Sequence, residues 1–87
     1  MPISIEFSIH SLIKIEILKS HGMIISKEFV EDIIRNPDKL CPGYKDRLIA
    51  QKKVDDEHVV RAVHEKKSEK IFVVTIYPGR RSRYEKD

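Results

Sequence analysis

Hydrophobic residues in the first third of the chain recur at the spacing of a helix. Between Ser8 and Ser20 they fall three and four positions apart, which predicts a helix over residues 9–20. Ser8 is placed to cap its start, and Gly22 can take the left-handed conformation that follows many helices. Further apolar residues widen the stripe, so we expect a largely buried helix. Its expected face comprises Ile9, Leu12, Ile13, Glu16, Ile17 and Ser20.

A second amphipathic segment follows after a short connection. Ser26 is its N-cap candidate, and Asn36-Pro37 ends it because a residue before proline is pushed out of the helical region. Acidic and basic residues separate the members of its apolar face, which are Phe29, Val30, Ile33 and Ile34. The first third of the chain therefore predicts a helical hairpin.

After Pro37 the hydrophobic period changes to that of strands. Residues 39–44 predict a short irregular strand or loop, and Pro78-Gly79 is expected to stop the last strand. Helices followed by strands indicate one α+β domain over residues 1–87, with the hairpin packed on one face of a three- to four-stranded antiparallel sheet. Short polar turns separate the three long runs of this meander, Arg47–Val54, His58–Glu65 and Ile71–Tyr77.

Alternation along these strands assigns the side chains to two faces. We expect the helices to cover Phe72, Val74 and Ile76 of the last strand and Val60 and Ala62 of the middle one. In the first strand we prefer Leu48, Ala50 and Val54 as the core set, with Ile49 as the alternative. The opposite side of the sheet, which we call the open face, gathers polar and basic side chains. They are Arg47, Gln51, Lys53, Arg61, Thr75 and Tyr77, with Arg81, Arg83 and Tyr84 beyond the end of the last strand.

Arg61 is the most informative residue of the open face. It stands between valines in the middle of a predicted strand, where a charge is costly to desolvate unless it is paired. Two interpretations follow. Arg61 forms an ion pair with Glu65 or with an acid of a neighbouring turn, or it binds a phosphate from another molecule.

The distribution of charge favours a polyanionic partner. The chain has a net charge of +3, and residues 38–87 hold thirteen of its seventeen lysines and arginines but only nine of its fourteen acids. The lone Cys41 excludes an internal disulfide and a thiolate cluster for zinc. We expect a cytoplasmic protein, because neither a signal peptide nor an apolar run of about 20 residues is visible.

Several motifs together resemble a known group of proteins. They are F-S-x-H-S-x-x-K (Phe7–Lys14), H-G-x-x-I-S (His21–Ser26), N-P (Asn36-Pro37), R-L-I-A-Q-K, H-V-V-R-A-V-x-E and V-V-T-I-Y-P-x-R-R-x-R-Y. Over almost the whole chain these resemble a small prokaryotic and phage family related to the RelE/BrnT-like toxins. The family more often has arginine where this chain has Lys14, which removes a bidentate fork at that position.

The resemblance implies a helical hairpin followed by an antiparallel sheet, and a metal-independent endoribonuclease without cofactor. Its expected partners are RNA, including ribosome-bound mRNA, a cognate antitoxin protein and a second copy of the chain, with no membrane. By resemblance, Arg61 and Arg81 hold the phosphate, Lys53 (or Lys52) aids proton removal, and Tyr84 acts as acid or stacks on a base. The same hypothesis assigns RNA contacts to Lys14, Arg47, Lys52, Tyr77, Arg80 and Arg83.

His10 is a further catalytic candidate. It lies four residues before Lys14 on the first helix, and histidine titrates near neutral pH. The alternative is a helix-surface histidine bonded to the sheet edge. For the whole chain, the alternative function is a non-catalytic module that binds nucleic acid or protein, since arginines and lysines alone provide phosphate affinity.

Overall fold

The chain forms two helices, five strands and two short helical turns over residues 4–85, the range that the computed structural model describes. The elements are β1 (Ser4–Phe7), α1 (Ile9–Ser20), α2 (Lys27–Arg35), β2 (Lys39–Pro42), a 3-10 turn (Tyr44–Asp46), β3 (Leu48–Lys53), β4 (His58–Lys67), β5 (Lys70–Arg80) and a helical turn α3 (Arg81–Tyr84). The α+β class expected from the hydrophobic pattern is confirmed.

The five strands make one mixed sheet in the order β1-β5-β4-β3-β2. Strands β2 to β5 form the expected antiparallel meander, and β1 adds to β5 in parallel, with Ser4 opposite Lys70. The expectation of three to four purely antiparallel strands is therefore wrong. Strand β1 has only four residues and pairs with a strand more than sixty positions away in the sequence. No turn sequence links the two strands, so their pairing could not be predicted from a local pattern.

The predicted helix ends are confirmed. Helix α1 starts after Ser8, whose hydroxyl accepts from the Ser11 amide, and α2 starts after Ser26, whose hydroxyl accepts from the Phe29 amide. Gly22 has a φ of +88°, the left-handed conformation expected after α1. Helix α1 packs on β5, while α2 packs on β3 and β4, so both lie on the same face of the sheet.

The buried face of helix α1 is not the face predicted from the hydrophobic pattern. Ser11, Ile15 and Leu18 are buried, whereas Ile9 is 78% exposed and Ile13 is 52% exposed. Leu12 and Ile17 are exposed with them, so the expected burial of this stripe is wrong. The reason is that α1 has apolar residues on both sides, and the small Ser11 side chain lets the other side approach the sheet closely.

A β-bulge sets the phase of β5. Val63 pairs with Thr75 but His64 pairs with Val73, so Val74 is an extra residue between two registers. Ile71, Val73 and Ile76 consequently all lie in the core with the helices. The expectation that Phe72 and Val74 face the helices is wrong. The predicted phases of the two neighbouring strands are confirmed by the burial of Ala50, Val60 and Ala62 in the core.

Ser8 connects the bulge to the start of α1. Its hydroxyl donates to the Val74 carbonyl at 2.7 Å and accepts from the Ser11 amide at 2.9 Å, while its own amide donates to the Val73 carbonyl at 3.0 Å. One side chain thus caps a helix and satisfies a carbonyl that the irregular ladder leaves free.

We expect Ser8→Ala to lower the free energy of unfolding by about 2–3 kcal/mol, because it removes a helix cap and also leaves the Val74 carbonyl without its donor. Ser26→Ala is the matched control. It removes only an exposed cap and should cost about 1 kcal/mol. Urea unfolding followed by circular dichroism measures both, and equal losses would contradict the role of Ser8 at the bulge.

Residues 4–85 contain no group of three or more His, Cys, Asp or Glu side chains that could hold a metal ion. In the same part of the chain, no helix is long and apolar enough to cross a membrane.

Candidate functional site

Three strands align the polar residues at the centre of the open face. Gln51 of β3 pairs with Arg61 of β4, and Arg61 pairs with Tyr77 of β5. Residues directly opposite each other in antiparallel strands share a face, so these three side chains form one row across the sheet. The assignment of Val60 and Ala62 to the core predicted this placement of Arg61.

The Arg61 guanidinium is held by two tyrosines. Its Nη1 donates to the Tyr77 hydroxyl at 2.9 Å, and its central carbon lies 4.3 Å from the centre of the Tyr84 ring. At this distance the cation is attracted to the face of the ring. We call Gln51, Arg61, Tyr77 and Tyr84 the Arg61 cluster.

The expected ion pair of Arg61 with Glu65 is not formed. Glu65 accepts instead from Arg47 Nε at 3.0 Å, and this hydrogen bond holds the pKa of the Glu65 carboxyl below its usual range. Within residues 4–85 no carboxylate lies within ion-pair distance of Arg61, and the turn acid Asp55 pairs with His58. The interpretation of Arg61 as half of an ion pair is therefore wrong, and its charge is uncompensated across the described part of the chain.

Two buried atoms of the cluster have no hydrogen-bond partner among the described residues. They are Nε of Arg61 and Oε1 of Gln51. Gln51 is only 2% exposed, and its Nε2 donates to the main-chain carbonyl of Tyr84 at 3.2 Å. Leaving a buried polar atom unpaired costs about 1–3 kcal/mol, so such atoms in native proteins are usually paired with an ordered water, an ion or a ligand.

Helical turn α3 lies over the cluster because Gly79 lets it approach. A Cβ atom built at Gly79 would overlap Cδ2 and Cε2 of the Tyr84 ring. Val59, which pairs with Gly79, is fully buried although it lies outside the core formed with the helices.

The expectation that Pro78-Gly79 ends the strand is wrong, since β5 continues to Arg80. Proline is tolerated there because β1 pairs with β5 only up to Val73, which leaves Pro78 on an edge.

Arg81 fixes the start of α3. Its polar contacts within residues 4–85 are with Glu85, Asp56 and Glu57, and none of them is with the Arg61 cluster. Its Nε pairs with Glu85 at 2.7 Å, its Nη1 donates to the Asp56 carbonyl at 3.0 Å, and its amide donates to the Glu57 carbonyl at 2.8 Å. These bonds tie α3 to the turn between β3 and β4. A phosphate on Arg81, as the resemblance implies, would compete with this structural role.

The structure decides between the two neighbouring lysines of β3. Lys52 faces the helices, where it pairs with Asp32 at 2.8 Å and donates to the Asn36 carbonyl at 3.0 Å. The bond from Lys52 lowers the pKa of the Asp32 carboxyl. Lys53 lies on the open face, exposed and in register with Val59, one row from Arg61.

The remaining predicted residues fall into two groups. His10 and Lys14 lie on α1, which covers the opposite face of the sheet, so the structure does not bring them to Arg61. Arg83 lies near the cluster, 5.5 Å from the centre of the Tyr84 ring, and Arg80 is exposed at the end of β5. Thus Arg61, Tyr77 and Tyr84 are brought together, with Lys53 and Arg83 nearby, while Arg47 is engaged by Glu65.

Three residues without an assigned role also shape the site. Gln51 was placed on the open face, but nothing in its local sequence indicated complete burial. Lys39 reaches the Tyr84 carbonyl at 3.4 Å, and Gly79 admits the Tyr84 ring. All three depend on the docking of α3, which is a tertiary contact without a local signal.

Comparison of the chain with protein-family models, with curated proteins and with solved structures found no significant match. The resemblance to RelE/BrnT-like toxins accordingly stays a prediction that rests on the motifs of this chain.

Proposed function

We propose that this protein is a metal-independent endoribonuclease that binds single-stranded RNA on its open face. The supporting observation is the uncompensated guanidinium of Arg61, stacked on Tyr84 and held by Tyr77. Because Nη1 already bonds to Tyr77, the parallel N–H bonds of Nε and Nη2 remain as a fork without a protein acceptor in residues 4–85. Such a fork matches two oxygens of a phosphate.

In the proposed reaction the ribose 2′-oxygen attacks the adjacent phosphorus. The new 2′-O–P bond forms as the P–O5′ bond breaks, which yields a 2′,3′-cyclic phosphate and a 5′-hydroxyl. Arg61 stabilises the negative charge that develops on the phosphate oxygens. Lys53 aids removal of the 2′ proton, which passes to a base from the solvent, and the Tyr84 hydroxyl gives a proton to the leaving 5′-oxygen. His10 has no part in this scheme, since α1 covers the other face.

The resemblance to RelE/BrnT-like toxins also suggests a cellular role for the proposed enzyme. The enzyme would act as the toxin of a toxin–antitoxin pair, with a neighbouring gene encoding its antitoxin. Basic residues of the second half of the chain would contribute non-specific attraction to RNA.

A non-catalytic RNA-binding module is the second candidate. The engagement of Arg81 by Glu85 and by two turn carbonyls favours it, because a catalytic site with one free arginine has less positive charge for the transition state. The two candidates share the binding surface and differ only in whether a bond is cut.

Cleavage of a short RNA in the presence of EDTA tests the proposal. We expect products with 2′,3′-cyclic phosphate and 5′-hydroxyl ends, and complete protection when the nucleotide at the cut position carries 2′-deoxyribose. Mass spectrometry identifies the ends. Binding without any cleavage across varied RNA sequences would refute the enzyme and leave the module.

A further inference from the structure

The two unpaired atoms belong to neighbouring side chains, Gln51 and Arg61, and differ in chemistry. Gln51 and Arg61 are direct partners in the β3–β4 ladder. Oε1 of Gln51 is a hydrogen-bond acceptor, and Nε of Arg61 is a charged donor. A ligand that satisfies both must present an anionic oxygen next to a hydrogen-bond donor.

A stretch of DNA backbone meets only half of this requirement. Its oxygens can accept from Arg61, but a phosphodiester has no proton to donate to Gln51. An amide flip does not remove the mismatch, because Nε2 of Gln51 donates to the Tyr84 carbonyl at 3.2 Å and an oxygen in its place would face that carbonyl. The acceptor is therefore fixed in orientation.

A ribonucleotide meets the whole requirement, because its 2′-hydroxyl is a donor beside the 3′-phosphate. We infer that Gln51 is the residue that distinguishes RNA from DNA, accepting a hydrogen bond from the 2′-hydroxyl while Arg61 holds the adjacent phosphate. This inference rests on the proposed function and assigns the recognition of its substrate. Gln51 is thus a positioning residue, which orients the 2′-oxygen without exchanging a proton with it.

Access to the two atoms requires the Tyr84 ring to move aside. The ring lies over Arg61, 4.3 Å from its central carbon, and none of the four residues of α3 is buried. The start of α3 is held by the contacts of Arg81, and the Tyr84 carbonyl accepts from Gln51 at 3.2 Å and from Lys39 at 3.4 Å. Rotation of the Tyr84 side chain would therefore open the site while the main chain of α3 and the orientation of the Gln51 amide are retained.

Mononucleotides that cannot be cleaved separate this inference from catalysis. NMR titration compares uridine 3′-monophosphate with 2′-deoxyuridine 3′-monophosphate and with inorganic phosphate. We expect the ribonucleotide to bind about tenfold more tightly than the deoxyribonucleotide, the effect of one hydrogen bond to a buried acceptor. Equal affinities for the two nucleotides would overturn the inference, whatever the outcome of the cleavage assay.

The variant Gln51→Met, similar in length and without a polar oxygen, should reduce the preference to about one while phosphate still binds. Arg61→Gln should weaken the binding of all three ligands and keep the preference for the ribonucleotide over the deoxyribonucleotide. If the role of Gln51 were purely structural, Gln51→Met would instead lower the affinity for both nucleotides by the same factor. That result would contradict the inference. Should Gln51→Met not fold, 2′-fluoro-2′-deoxyuridine 3′-monophosphate replaces it, since fluorine is close to a hydroxyl in size but cannot donate a hydrogen bond. Binding as tight as that of the ribonucleotide would overturn the inference.

Discussion

Arg61→Ala will lower the rate of RNA cleavage by 100-fold or more, the usual effect of removing a principal donor to a developing oxyanion. The fold should survive the change. Arg61 forms no ion pair within residues 4–85, so alanine leaves no carboxylate without its partner, and Tyr77 is only half-buried. Binding to a long RNA should fall much less, because other basic residues still contact phosphates.

Two companions make the Arg61 result specific. Arg61→Lys retains the charge without the fork and should recover only part of the loss. Lys19→Ala removes one positive charge from an exposed position on α1, on the other layer of the molecule, and should cleave like the wild type. Single-turnover rates at fixed salt measure all three. Cleavage by Arg61→Ala at the wild-type rate would place the phosphate elsewhere.

Gly79→Ala will displace the Tyr84 ring and reduce cleavage by about 100-fold if Tyr84 supplies the proton to the leaving oxygen. The added methyl group would occupy the space of two ring carbons, and the ring stands on a short turn that can yield more readily than the sheet. Tyr84 would then lose its stack on Arg61. Protection of α3 amides from hydrogen exchange should fall in parallel.

A double-mutant cycle separates this steric effect from general damage. In a Tyr84→Ala background the ring is absent, so adding Gly79→Ala should change neither the rate nor the stability further. Gly22→Ala is the control for glycine replacement. Its Cβ would meet nothing within 4 Å, so it should lose about 1 kcal/mol of stability through its φ of +88° and keep full activity. Additive losses in the cycle would mean that Gly79 does not act through Tyr84.

The parts of the fold that local chemistry determines could be predicted from the sequence. Ser8 and Ser26 act within one helical turn, so their capping role is visible in a few residues. Arg61 could be assigned to the open face because it stands between Val60 and Ala62, which were expected in the core and are buried there. The phase of β5 could not be predicted, since the bulge at Val74 is stabilised by Ser8 from a distant part of the chain.

The sequence predicted those site residues whose face follows from the alternation of polar and apolar positions within one strand. Arg61 and Tyr77 were correctly placed together, because they sit on neighbouring strands of one meander. His10 was a reasonable candidate by residue type, yet α1 packs on the other face of the sheet. The arrangement of Arg81, Tyr84 and Gln51 depends on how α3 folds back across the sheet, which no periodicity of a four-residue segment can indicate.

The bulge at Val74 has a further consequence for the strand that contains it. It divides β5 into two lengths whose inward and outward positions are set independently. Residues 70–73 pair with β1 and place Ile71 and Val73 in the core, whereas residues 75–80 place Ile76 in the core and Tyr77 beside Arg61. A change of register in one length therefore leaves the facing of the other length unaltered. The extra residue uncouples the two halves of a single strand.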